Sequence, residues 1–258
     1  MIDSHCHLDF DEFDGCREEI IKEAQATGVH TIINIGVDQD SSRQSLELAQ
    51  AHEGIYATVG VHPHDAVTFN DEVEQTIKQL VSNEQVVAVG EIGLDFYRNL
   101  SPHRVQRDTF CRQLELAVEC KKPVVIHSRN SFRETVDIVK EYAPNLVGGV
   151  FHCFPGNIDD ALKVIESGLV ISVGGVITFP NARMAQLAAL VPLDKIILET
   201  DAPYLTPVPH RGKQNRPAYV KYVYQKLAEM RDMSVEDLEK VVDRTAQKLF
   251  GLVEIFEG

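Results

Sequence analysis

Six side chains scattered along the sequence are of types that bind divalent metals: His5, His7, Glu91, His127, His152 and Asp201. A single histidine near a strand end is ordinarily a polar residue with a hydrogen-bond partner. An H-x-H pair is different, because the period-two alternation of a strand sends His5 and His7 to one side and turns Cys6 away. Four imidazoles and two carboxylates exceed what one tetrahedral ion takes. The count therefore predicts two ions sharing a carboxylate, with Glu91 as the candidate bridge. Mixed nitrogen and oxygen donors without thiolate suit Zn, Mn, Fe or Co, and Mg less well, since Mg prefers oxygen. Such a centre activates water, so the expected chemistry is hydrolysis.

Each candidate sits at the end of a short apolar, β-branched run. Eight such runs can be placed, at 1–4, 29–35, 55–61, 86–89, 123–126, 146–151, 169–173 and 195–199. Helical patterns lie between them, for example at 16–26 and 106–120, and two more follow the last run, at 217–230 and 234–250. The final one opens with Ser234 and Asp237 in capping-box spacing and ends near Gly251, a good C-cap residue. Eight strand–helix units in 258 residues predict an α/β fold of the (β/α)8 TIM-barrel class, a single domain over 1–258. A doubly wound open sheet is the alternative, but no glycine-rich turn follows the first run, where a nucleotide-binding sheet would carry its phosphate loop. In a barrel all strand ends share one rim, so residues far apart in sequence converge at the mouth.

Hydrophobic residues make up 44% and charged residues 25% of the chain, the composition of a folded globular protein. No apolar run approaches the roughly 20 residues of a membrane-spanning helix, and no secretory signal is visible. Five cysteines without a CxxC pair fit a reducing compartment, so a cytoplasmic location is expected. A net charge of −14 argues against coating nucleic acid through a broad positive surface, yet leaves room for local grip on phosphates. No segment points to an obligate protein partner.

The segments Asp3-Ser-His-Cys-His-Leu-Asp9, Gly60-Val-His-Pro63, Gly90-Glu-Ile-Gly-Leu-Asp95, Val125-Ile-His-Ser-Arg129, Phe151-His-Cys-Phe154, Glu199-Thr-Asp-Ala-Pro-Tyr-Leu205 and Pro209-His-Arg-Gly-Lys213 run from end to end of the chain. In this order the sequence resembles the TatD family of metal-dependent deoxyribonucleases, within the amidohydrolase-like barrels. The resemblance implies one ion held by His5, His7, Glu91 and Asp201, and a second by Glu91, His127 and His152. It also implies hydrolysis of DNA phosphodiesters, often from the 3′ end. Asn215-Arg-Pro217 departs from the Asn-Glu-Pro common in that family.

With a phosphodiester substrate, Glu91 and Asp201 become the expected catalytic residues, Asp201 being both ligand and the base that takes the proton of the attacking water. Substrate contacts are expected from His62, Arg129, Tyr204, Arg211 and Lys213. Arg98, Arg183 and Arg216 should add to a basic mouth on an acidic body. His64 is expected to face solvent, Glu199 to orient a neighbouring ligand, and Cys6 and Cys153 to pack. Two rival functions remain: an amide, lactone or organophosphate hydrolase on the same barrel, and a metal-stabilised binding protein without turnover.

Overall fold

In the computed structural model, which describes residues 1–252 except position 181, and only the backbone of Arg183, eight parallel strands follow one another around a barrel in sequence order. They are β1 (Ile2–Cys6), β2 (Thr31–Ile35), β3 (Ile55–Val59), β4 (Val86–Asp95), β5 (Val124–Arg129), β6 (Gly149–Phe151), β7 (Val170–Val173) and β8 (Ile196–Leu198). The helices are α1 (Arg17–Ala26), α2 (Gln39–Ala51), α3 (Asp71–Val81), α4 (His103–Cys120), α5 (Phe132–Tyr142), α6 (Ile158–Glu166), α7 (Arg183–Leu190), α8 (Val220–Met230) and α9 (Val235–Phe250). This is the expected TIM barrel; residues 253–258 of the expected 1–258 domain lie outside the described residues.

Both faces of the strands are buried, as a parallel sheet wrapped in helices requires. One apolar cluster fills the space between strands and helices. A second takes Ile2, Ile33, Val125, Val150 and Ile197 from strands around the barrel, with Ala246 and Phe250 of α9 against them, and so fills the lumen below the mouth. Ser234 caps α9 by accepting the Asp237 N–H, and Gly251 ends it at φ 63°. The capping box is only half formed, because the Asp237 carboxylate bonds the Ser234 hydroxyl rather than its backbone.

The seam between β1 and β8 closes through the segments that carry candidate ligands. Asp201 N–H donates to His5 O and His7 N–H to Ala202 O, each at 2.9 Å. Beneath them the buried Asp3 carboxylate accepts from Thr200 N–H (2.9 Å) and Thr200 Oγ1 (2.6 Å). Burial pushes the Asp3 pKa up to about 8 despite these bonds.

β4 is longer than its sequence suggested. It runs through Gly90 and Gly93 to Asp95, so Glu91 lies inside the strand rather than after it. The β4–β5 register shifts between Val89 and Ile92, and an irregularity of this kind re-aims the intervening side chain. At Gly93, with φ 144°, an added Cβ would lie 2.0 Å from His127 O; glycine there lets the two ligand-bearing strands meet.

Candidate metal centre

All six predicted ligands converge at the C-terminal mouth. His5 and His7 lie on one side of β1 with their Nε2 atoms 3.3 Å apart, as alternation requires. The buried Asn34 amide holds the chain beyond His7, accepting the Leu8 N–H and donating to Asp9 (2.9 Å) and Ser45 (2.7 Å). His7 Nδ1 lies 3.2 Å from Ile35 O. A carbonyl can only accept, so Nδ1 carries a proton and Nε2 is the atom turned to the site. Asp201 adopts a left-handed φ of 56°, a conformation short polar residues tolerate better than most.

The spacing of these atoms tests whether they suit an ion. Around His5 Nε2, Glu91 Oε2 stands at 3.4 Å and Asp201 Oδ1 at 3.7 Å; around His7 Nε2, the same oxygens stand at 4.0 and 3.5 Å. A tetrahedron with arms of about 2.1 Å has edges of about 3.4 Å. The donors of His5, His7 and Glu91 form one compact group near that spacing, and Asp201 Oδ1 stands beside both histidines.

Glu91 turns its other oxygen to a second group. Oε1 lies 2.7 Å from His152 Nε2, 2.8 Å from His127 Nδ1 and 3.6 Å from His62 Nε2. His152 also stacks on His5, with centroids 4.0 Å apart, so it stands between the two halves. The donor atoms of His62, Glu91 and His127 form one compact group and those of His5, His152 and Asp201 another. His62, expected to touch substrate, is thus also placed as a potential ligand.

Electrostatics divide the imidazoles. Burial, aided by His152, pushes His5 down to about 4, and burial beside His127 holds His62 well below the usual range, so both keep free lone pairs at neutral pH. Burial opposes charge on His152 as well, but Glu91 and Glu199 outweigh it and raise the imidazole to about 10. Burial would raise Glu91, yet His152, His62 and His127 hold it well below the carboxylate range. Asp201 is likewise lowered, burial being overcome by His7, His5 and His152.

Supporting side chains were only partly visible in the sequence. Glu199 accepts from Ser172 Oγ (2.5 Å) and Cys153 N–H (2.7 Å), with Oε1 3.9 Å from His152 Nδ1, consistent with an orienting role. Asp95, outside the expected site residues, brings its Oδ2 to 3.1 Å from His127 Nε2 and 3.0 Å from His64 Nε2. His64 is therefore turned onto Asp95 rather than out to solvent. The sequence signal for Asp95 was its place at the end of the segment Gly90-Glu-Ile-Gly-Leu-Asp95, four residues past Glu91.

On the rim, Arg129 stacks on Tyr97 (3.9 Å) and Arg211 on Phe179 (4.4 Å). Tyr204 is about half exposed, and its ring edge approaches Phe10, which stacks on His7 at 4.5 Å. Lys213 and Arg98 are exposed on mouth loops. Arg216 does not add to a basic mouth: its guanidinium pairs with Glu23 of α1 at 2.7 Å. The side chain of Arg183 lies outside the described residues. Asn215 is buried and donates to Thr200 O (2.9 Å), so the departure at the next position leaves this anchor intact. Cys6 is buried in the core as expected; Cys153 is only half-buried, at φ 41°. Among the described residues no helix is long and apolar enough to cross a membrane.

The family described as TatD related DNase matches residues 2–251. The chain is 38% identical to the uncharacterized metal-dependent hydrolase YabD of Bacillus subtilis, over 97% of this chain and 98% of that protein. It is 35% identical to the 3′-5′ ssDNA/RNA exonuclease TatD of Pantoea ananatis, over 98% and 100% respectively. Among solved structures it resembles the Escherichia coli TatD homolog YJJV, with a TM-score of 0.92, 31% identity and 98% of each chain covered. The chain belongs to the TatD-related DNase family and is a metal-dependent hydrolase.

Proposed function

We propose that the enzyme hydrolyses phosphodiester bonds of single-stranded nucleic acid, DNA foremost and from the 3′ end, using two divalent ions. The observation that carries this reading is the split carboxylate of Glu91, one oxygen facing His5 and His7 and the other facing His127 and His152. His5, His7, Glu91 and Asp201 would hold one ion, and Glu91, His127 and His152 the other; Zn, Mn, Fe or Co suit the donors best. When bound, such ions supply Lewis acidity toward a phosphoryl oxygen and lower the pKa of water.

The remaining work falls to the chain's own groups. Asp201 takes the proton of the attacking water: its carboxylate is kept ionised, and its side chain is 15% exposed against 4% for Glu91 and 1% for Asp95. Asp95 holds the His127 ring through Nε2, and Glu199 steadies the segment beside His152. Arg129, Arg211 and Lys213 draw the phosphate chain to the mouth. The relative from Pantoea ananatis, whose name describes such an exonuclease, supports the substrate class.

The test is an activity panel of single-stranded DNA, single-stranded RNA, a small phosphodiester, an amide, a lactone and an organophosphate, each with and without chelator. Chelator-sensitive shortening of the oligonucleotides is the expected result. Turnover confined to an amide, lactone or organophosphate would overturn it.

A further inference from the structure

We propose that Tyr97 is a substrate-specificity residue, a stacking platform for a nucleobase of the strand whose phosphate enters the metal centre; this rests on the nucleic-acid reading above. The β4–β5 register pairs Gly93 with His127 and, two residues further out, Asp95 with Arg129. His127 and Arg129 thus share one face, about 6.6 Å apart along the strand, the second standing directly outward of the first. Tyr97 follows Asp95 by the same two residues. Its N–H and that of Arg98 both donate to Asp95 Oδ1, at 2.9 and 2.8 Å, while Phe96 N–H donates to Arg129 O. The carboxylate that orients His127 therefore also fixes the loop bearing Tyr97.

The ring is presented rather than packed. Tyr97 is 55% exposed, and the Arg129 guanidinium lies 3.9 Å from its centroid, covering one face. The rest of the ring stands in solvent, where a planar group can cover it and gain by leaving water. Among the described residues Arg129 carries no carboxylate partner of its own. Arg107, Arg112 and Arg216 each pair with a carboxylate, whereas no carboxylate lies within 4.0 Å of the Arg129 guanidinium among the described residues. Its charge is left for a phosphate, and its plane stiffens the ring for stacking.

An aromatic face backed by a cation, next to a phosphate-directed site, is the arrangement that holds single strands without reading their sequence. Every base has a π-face, so the platform accepts any base and both sugars. A duplex, whose bases are already stacked, offers it nothing except at a frayed end. The platform gives the single-strand reading above a physical basis in one residue, Tyr97.

Steady-state kinetics on a mixed-sequence single-stranded oligonucleotide test this, comparing wild type with Tyr97→Ala and Tyr97→Phe. Stacking of this kind is worth about 1–3 kcal/mol per base, so Tyr97→Ala should raise KM roughly 5- to 150-fold. Metal content, Tm and kcat should stay near wild type, and Tyr97→Phe should restore KM. An unchanged KM in Tyr97→Ala, or a loss of kcat and metal that Phe fails to rescue, overturns the platform while leaving the nuclease reading standing. Wild-type protein that leaves the oligonucleotide intact, with metal loaded, overturns both.

Discussion

Glu91 Oε1 lies 2.7 Å from His152 Nε2 while the other oxygen of the same carboxylate lies 3.4 Å from His5 Nε2. One side chain, buried inside a strand, thus joins two groups of nitrogen donors. Glu91→Gln preserves its size but removes the charge both groups share. Metal analysis should show loss of at least one ion per chain, and turnover should fall roughly 10³-fold, the scale of losing a major electrostatic stabiliser. Full metal occupancy in this variant would show that Glu91 is not the bridge.

Asp95 reaches no predicted ion, yet it holds His127 and His64 through one oxygen. Asp95→Asn leaves the ligands in place and loosens the His127 ring. Metal affinity should drop about 10- to 100-fold, the usual effect of removing a group that orients a ligand. Competition with a fluorescent chelator measures it; affinity equal to wild type would assign Asp95 a purely structural role.

The pH behaviour of chelator-treated protein follows from its raised buried groups, Asp3, Glu199 and His152 foremost. Burial lifts Asp3 to about 8 and Glu199 to about 7, and Glu91 and Glu199 lift His152 to about 10 against its burial. Each folded value exceeds the ordinary one, so each contribution is complete below the ordinary value and lost as pH rises through the folded value. The Tm of metal-free protein should therefore decline between pH 6 and pH 10. Metal uptake near pH 7 must displace the His152 proton, so affinity should rise with pH over the same range. Calorimetry in buffers of different ionisation enthalpy would detect that proton; a Tm that climbs with pH would contradict the assignment.

The rim cations give an ionic-strength signature. If Arg211 and Lys213 each meet a phosphate, changing both to Glu removes two counterion-releasing contacts. On a single strand this should flatten the log–log salt dependence of binding by roughly 1.4. An unaltered slope, measured by fluorescence anisotropy, would take them out of the substrate path.

What the sequence disclosed and what it hid have distinct physical causes. His5, His7, His127, His152 and Asp201 were legible because each ends a β-branched run, and barrel geometry brings all such ends to one rim. The extent of β4 was not, because Gly90 and Gly93 interrupt the apolar pattern where the backbones of β4 and β5 approach. That break hid Asp95 and with it the true orientation of His64. Arg216 misled for another reason: its partner Glu23 is 193 residues away in sequence, and only the fold brings them together. Tyr97 carries no pattern at all, being one exposed aromatic in a loop until its stack on Arg129 is seen.

The most direct test of the account is the fate of a 5′-labelled single-stranded oligonucleotide incubated with metal-replete wild type, chelator-treated wild type and metal-replete Asp201→Asn. The account predicts progressive shortening from the 3′ end by the first alone, restored to the second by adding divalent metal. An intact oligonucleotide with wild type, or equal cleavage by Asp201→Asn, would contradict it.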